Sequence, residues 1–159
     1  MVILGLDPGI ARTGYGVIAT AKQQRFVRCG CLTTPQHAAT EDRLHTIGRD
    51  LTILLKEARP DLAVIEAVFF GANTTTAMLT AQTRGVLIYV LREHHIPVYS
   101  LTPLQIKSRL TGYGAASKQQ VQTMIMKRLN LDSVPKPDDA ADALAAALCL
   151  AEESLRLPV

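Results

Sequence analysis

"VILGLDPGIARTGYGVIAT", residues Val2 to Thr20, sets the architecture of the chain. Val2 to Asp7 is a short apolar run ending at an aspartate, "PGIARTG" is a turn, and "YGVIAT" resumes the apolar pattern. "RFVRCGCLTT" follows after a short polar break, so the pattern predicts three antiparallel strands in a meander. A helix is expected from about Glu41 to Arg59, with an apolar stripe of Leu44, Ile47, Leu51, Leu54, Leu55 and Ala58. Thr40 is its candidate cap and Pro60 its stop. "LAVIEAV" (Leu62–Val68) is a fourth strand which, reached through a helix, should run parallel to its neighbour.

Beyond the loop "FFGAN", a long helix is expected from Thr74 to His95 with Asn73 as its cap, then a fifth strand in "IPVYSL". "TPLQ" and "SKQQ" each place a hydroxyl three residues before a glutamine, the signature of a capping box, so helices should open after Thr102 and Ser117. The last helix begins near Asp138. Together these elements predict an α/β fold, a mixed five-stranded sheet flanked by helices, with residues 1–159 as a single domain.

With 48% hydrophobic and 19% charged residues and no repeat, the chain reads as a folded globular protein. No apolar run reaches the length of a membrane span, and a cytoplasmic location is expected. Cys29, Cys31 and Cys149 make no CxxC pair and read as reduced, small apolar residues. The four histidines read as surface residues. There is no GxSxG, no HExxH and no phosphate loop ending in GK[ST].

The last helix holds an anomaly. From Ala140 to Ala151 every residue but Asp142 is apolar. A helix apolar all round is normally buried, and a lone carboxylate there needs a partner. Asp139 and Asp142, spaced i, i+3, share a helical face. Asp7 ends the first strand and Glu66 lies near the end of the fourth, so adjacent parallel strands would bring both to one crevice. Four carboxylates in one crevice would repel one another, and divalent cations relieve that repulsion. Oxygen-only ligands suit Mg²⁺ or Mn²⁺, and two such ions about 4 Å apart drive in-line phosphoryl displacement. The doublet Asp138-Asp139 leaves a second register open, Asp138 with Asp142 spaced i, i+4, and aspartates at a helix start are also candidate caps.

Charge distribution points to the substrate class. No acidic residue lies between Glu93 and Asp132, while Lys107, Arg109, Lys118, Lys127 and Arg128 do. With the four acids neutralised, 17 basic residues face 10 acidic ones, a balance suited to nucleic acid.

"GLDPGIARTGYGVI", "VIEAVFFGANT", "AQTRG", "TPLQIKSRLTGYGAASKQQV" and "DDAADALA" resemble, in order and over nearly the whole chain, the motifs of the RuvC family of Holliday junction resolvases. The resemblance implies an RNase H-like fold with sheet order 3-2-1-4-5 and a homodimer. It implies a crossover junction endodeoxyribonuclease making paired symmetric nicks in four-way junction DNA, in recombination and repair, with 5′-phosphate and 3′-hydroxyl products. It assigns Asp7, Glu66, Asp139 and Asp142 to catalysis and to Mg²⁺ (or Mn²⁺), two ions per site in the family pattern; the match of "DAADALA" favours Asp139 over Asp138 and leaves Asp138 as the helix cap. Lys107 and Lys118 become basic residues of the DNA face, Lys118 with a catalytic role, and Phe69 a contact to an unpaired base. Arg109 joins the DNA-binding set through its place in the acid-free stretch, and the RuvA–RuvB branch-migration complex is the implied partner. The short tail after Ala151 departs from longer family members.

Two rival readings meet the same residues. An actin-like or sugar-kinase-like ATP-binding lobe shares the D-x-G-x-x-x-x-G turn (Asp7, Gly9, Gly14), but leaves Glu66, Asp139 and Asp142 unexplained. Another RNase H-like nuclease, acting on RNA–DNA hybrids or other branched DNA, would use the same acids.

Overall fold

Three consecutive strands come first, then helices alternate with two more strands, and three consecutive helices close the order, as the hydrophobic pattern requires. The computed structural model describes residues 1–21, 23–68 and 74–154. β1 (Val2–Asp7), β2 (Arg12–Thr20) and β3 (Gln24–Thr33) form the antiparallel meander. β4 (Leu62–Glu66) pairs parallel to β1, and β5 (Val98–Leu101) parallel to β4. The sheet order is therefore β3-β2-β1-β4-β5, as the resemblance implied. The helices are α1 (Thr40–Ala58), α2 (Thr74–Glu93), α3 (Pro103–Thr111), α4 (Lys118–Leu129) and α5 (Asp138–Ser154).

Successive strand residues point to opposite faces, and this parity divides the core in two. Leu4, Leu6, Ala63 and Ile65 pack with α1 and α2 residues such as Ile47, Leu51, Leu87 and Leu91. Ile3 and Val64 face the other way, onto Ile106, Val121, Ile125, Leu144 and Leu148 of α3, α4 and α5.

Both capping boxes form. Thr102 and Ser117 Oγ each accept from the backbone N–H three residues on at 3.2 Å, and the two glutamine side chains accept from the cap N–H at 2.8 Å. Thr40 does not cap α1. It is the first residue of the helix, and Ala39 holds the cap position with no side-chain bond. Helix α2 stops two residues short of expectation because His95 takes a left-handed backbone (φ 58°). The expected cap of α2, Asn73, lies outside the described residues.

Helix α5 is seated on the sheet through glycines. A Cβ on Gly5 would stand 1.9 Å from the carbonyl oxygen of Ala143, and one on Gly14 would stand 2.0 Å from that of Asp139. Asp139, Ala143 and Ala147 are spaced i, i+4 along the row that meets the sheet. This explains the alanine-rich sequence: eleven residues between Ala140 and Ala151 are at most 2% exposed. Gly5→Ala should therefore lower the unfolding free energy by at least the roughly 1–3 kcal/mol of core overpacking, seen as a lower denaturation midpoint, because its obstacle is helix backbone rather than a movable side chain. An unchanged midpoint would show that α5 can lift without loss.

Candidate active site: an acid crevice at the strand ends

The register pairs Leu6 of β1 with Ile65 of β4, so Asp7 and Glu66 are the next residues on neighbouring parallel strands. By parity with Gly5 and Val64, both turn toward α5. Asp142 lies one helical step off the sheet-facing row and meets them. These three acids line a cavity of about 230 Å³ together with Lys107 of α3 and Lys118 of α4.

The capping box at Ser117 makes Lys118 the first residue of α4. From there its side chain crosses to α5, with Nζ 3.1 Å from Asp138 Oδ2 and 3.5 Å from Asp142 Oδ2. Burial draws the Lys118 ammonium down, but its hydrogen bond to Asp138 and the charges of Asp142 and Asp138 leave it raised. A lysine at a helix N-terminus opposes the dipole, and these two carboxylates supply the compensation. Ser117→Ala removes the cap and should cost about 1 kcal/mol, seen as a fall in Tm of about 2–4 °C.

The carboxylates carry more negative charge than their protein partners offset. Burial first, then the charges of Asp142 and Asp139, push Asp7 up to about 7. Burial, Asp7 and Asp142 push Glu66 up to about 7 as well, against the pull of Lys107. Asp142 is raised by burial, with Asp138 and Asp139 adding to it and Lys118 opposing. This electrostatic excess and the oxygen-only donor set fit a hard divalent cation. Among the described residues no three acids are drawn around a single point; Lys118 and Arg12 serve as counter-ions in the present arrangement.

Asp139 sits at the crevice edge rather than among its lining residues, because it belongs to the helix row packed on Gly14. Its Oδ2 lies 3.1 Å from Arg12 Nε, an ion-pair distance without the alignment of a hydrogen bond. Its charge reaches Asp7 and also Cys31, whose thiol is pushed up to about 11 by burial first and Asp139 second. Asp138 does not cap α5. It is the first helical residue, and the carbonyl of Pro137 accepts from Ala140 N at 3.0 Å, so the cap position falls on Pro137.

The structure thus brings together Asp7, Glu66, Asp142, Lys107 and Lys118, with Asp139 beside them. Arg109, half-buried on α3, is not among the crevice-lining residues. Phe69 lies outside the described residues. The four histidines are all exposed, and none of the three cysteines is in a disulfide. No helix among the described residues is long and apolar enough to cross a membrane.

Sequence reasoning missed two contacts, Arg12 with Asp139 and Asp138 with Lys118. Neither is encoded in local spacing, since each joins residues far apart in the chain. The turn that carries Arg12 is fixed by Thr13 Oγ1, donating to Gly9 O at 2.9 Å, and by Thr34 Oγ1, donating to Ile10 O at 2.5 Å.

Residues 3–150 match the family model described as crossover junction endodeoxyribonuclease RuvC. A crossover junction endodeoxyribonuclease RuvC of Alkaliphilus oremlandii (strain OhILAs) is 45% identical over 150 residues, 94% of this chain and 92% of that protein. A solved structure of Thermus thermophilus RuvC superposes with a TM-score of 0.90 at 30% identity, covering 98% of this chain and 96% of the other. A second, of T. thermophilus RuvC in complex with a Holliday junction substrate, gives a TM-score of 0.91 at 32% identity over 97% and 94% of the two chains.

Proposed function

The chain belongs to the RuvC family of crossover junction endodeoxyribonucleases, and from that premise we propose how its acid crevice cuts a four-way DNA junction. The protein is an endonuclease that resolves Holliday junctions. The observation that carries the proposed chemistry is the meeting of Asp7, Glu66 and Asp142 with Lys107 and Lys118 in one crevice.

Asp7, Glu66, Asp139 and Asp142 are the proposed ligands of divalent metal, Mg²⁺ with Mn²⁺ as a substitute, two ions per site. Such ions, when bound, activate water and stabilise the leaving 3′ oxygen. Asp139 is preferred to Asp138 as the fourth acid because its charge acts on Asp7, whereas Asp138 is 65% exposed and engaged with Lys118. Lys118 and Lys107 set positive charge beside the carboxylates, where the scissile phosphate gains negative charge during displacement. Lys118 is already held at the crevice by two α5 carboxylates, so it need not be recruited from solvent. Arg109 extends the basic surface along α3, and Phe69 is proposed to contact a base at the junction centre. Residues 1–159 act as one nuclease domain.

Paired nicks call for two sites, and a two-fold dimer suits a two-fold substrate. Helix α2 presents an outward stripe suited to self-association: Met78 (62% exposed), Gln82, Gly85, Tyr89 (65% exposed) and Arg92. Gly85 would have no atom within 4 Å of an added Cβ, so a second helix could approach closely there. Tyr89→Glu should convert the dimer to monomer in sedimentation and replace paired cuts by single nicks. A dimer that persists in the variant would move the interface elsewhere. The RuvA–RuvB branch-migration complex is the proposed partner in the cell.

A substrate panel tests the reading. Four-way junction, linear duplex and RNA–DNA hybrid are offered separately with Mg²⁺ or with EDTA. Cutting confined to the junction and requiring metal is expected; preferential cutting of the hybrid would keep the crevice chemistry and discard the substrate.

A further inference from the structure

Two large apolar side chains stand exposed beside the crevice with no role in the chemistry above: Leu104 (65%) and Tyr113 (63%). Gly114, the residue after Tyr113, lies against Leu104, since a Cβ built on it would stand 3.3 Å from Leu104 Cγ. The two exposed side chains therefore flank one short stretch of surface, a ledge. Leu104 stands in the first turn of α3, and Tyr113 in the connection that leads from α3, which carries Lys107, to Lys118 at the start of α4.

That connection is held firmly. Thr111 Oγ1 donates to Lys107 O at 2.8 Å and accepts from Tyr113 N at 3.1 Å, and Tyr113 O accepts from Ala116 N at 3.1 Å. Gly112 takes the left-handed conformation (φ 78°) that ends α3. Tyr113 therefore has its backbone polar groups bonded while its ring projects into solvent. Behind the turn, a hollow of about 360 Å³ opens between α3 and α4, lined by Thr111, Gln119 and Thr123 among others, none of them charged. Gln119 follows Lys118 directly. An aromatic ring, an aliphatic neighbour and uncharged hydrogen-bonding groups are what a nucleobase requires: a stacking face and partners for its edge. Leu104 and Tyr113 both belong to the acid-free stretch from residue 94 to 131, so no carboxylate adjoins them along the chain.

We propose that the Leu104–Tyr113 ledge and the hollow behind it form a subsite for one base of the junction strand next to the cut phosphate, with Tyr113 stacking on that base. The inference rests on the resolvase reading and adds a determinant of which sequence is cut. Phosphates are bound by the lysines; the ledge reads a base and makes no phosphate contact.

The test uses full-length protein in EDTA on synthetic junctions carrying 5-iodouracil at single positions around the exchange point. Irradiation should give an adduct mapped by mass spectrometry to Tyr113 from one or two adjacent positions only. Tyr113→Ala should weaken junction binding about five- to a hundredfold with an unchanged slope of log affinity against log salt. It should also flatten the preference among cut sites in Mg²⁺. Tyr113→Phe should retain binding and preference, and both variants should melt as wild type does. No Tyr113 adduct, or a Tyr113→Ala protein with wild-type affinity and cut sites, would overturn the proposal. So would a shallower salt slope, which would mark a phosphate contact, or a large fall in Tm, which would mark a structural tyrosine. Wild-type cleavage of the unmodified junction is run alongside. Its absence would count against the resolvase reading, and its presence without a Tyr113 effect would count against the ledge alone.

Discussion

Asp142→Asn should abolish junction cleavage and leave junction binding at least as strong as in the wild type. The loss should exceed about a hundredfold, since even residues that only support metal ligands cost about 10–100-fold when removed. Asn is nearly isosteric, and Asp142 is the one polar residue in an otherwise fully buried stretch of α5, so the seating of the helix on Gly5 and Gly14 is untouched. Binding should persist because the substitution removes a negative charge from a surface that meets phosphates and loosens one of the two carboxylates that hold Lys118. Gel-shift titration and single-turnover cleavage on one labelled junction check both halves. Retained cutting, or binding lost together with cutting, would contradict the role given to this carboxylate.

Asp7→Asn should likewise stop cleavage, and it should make the metal-free protein more stable. Asp7 is raised to about 7 in the folded chain, mainly by burial and then by Asp142 and Asp139, from an ordinary value of 3.8. Between those values the folded state holds a proton that the unfolded state has released. Stability therefore falls as pH rises through this window, and the full penalty is present above about pH 7. Asparagine carries no charge and avoids the penalty. In EDTA the Tm of Asp7→Asn should lie several degrees above wild type at pH 8, with the gap closing toward pH 5, where the wild-type carboxyl is protonated. Mg²⁺ should raise the wild-type Tm at pH 8 and act weakly on the variant, because binding to the folded state alone stabilises it. Glu66, raised to about 7 by burial, Asp7 and Asp142, adds to the same pH dependence. A gap independent of pH, or a variant less stable than wild type in EDTA at pH 8, would show that Asp7 is compensated without metal.

Much of this was legible in the chain. The three-strand meander, the parallel return of β4 and β5 and both capping boxes follow from local pattern and end signals, which act over a few residues. The oddity of Asp142 was legible for the same reason: a carboxylate inside an alanine run violates burial unless it is partnered. The convergence of Asp7 and Glu66 needed only strand parity and adjacency. The seat of α5 on Gly5, Gly14 and Gly16 was not legible, because it is a contact between a helix backbone and two strands far away in sequence. It explains why Asp139 and Asp142, though three residues apart, meet different surroundings. One packs on Gly14 near the start of β2, beside Arg12, and the other is open to the crevice. The caps assigned to Thr40 and Asp138 failed because each is the first helical residue, and the cap positions one residue earlier are Ala39 and Pro137, which have no side-chain oxygen for a cap rule to find. At α1 the cap is Ala39, with no side-chain bond at all. Asp138 is drawn instead to Lys118, 20 positions earlier in the chain and outside any local rule.

The most direct test of the account is strand-by-strand mapping of nicks on a four-way junction with a mobile core, each strand labelled in turn, with Mg²⁺ and then DNA ligase. Nicks are expected in pairs at symmetric positions on two opposing strands, sealed by ligase, absent in EDTA and absent with Asp142→Asn. Nicks that are unpaired, that cannot be sealed, or that persist when the crevice carboxylates are replaced would contradict it.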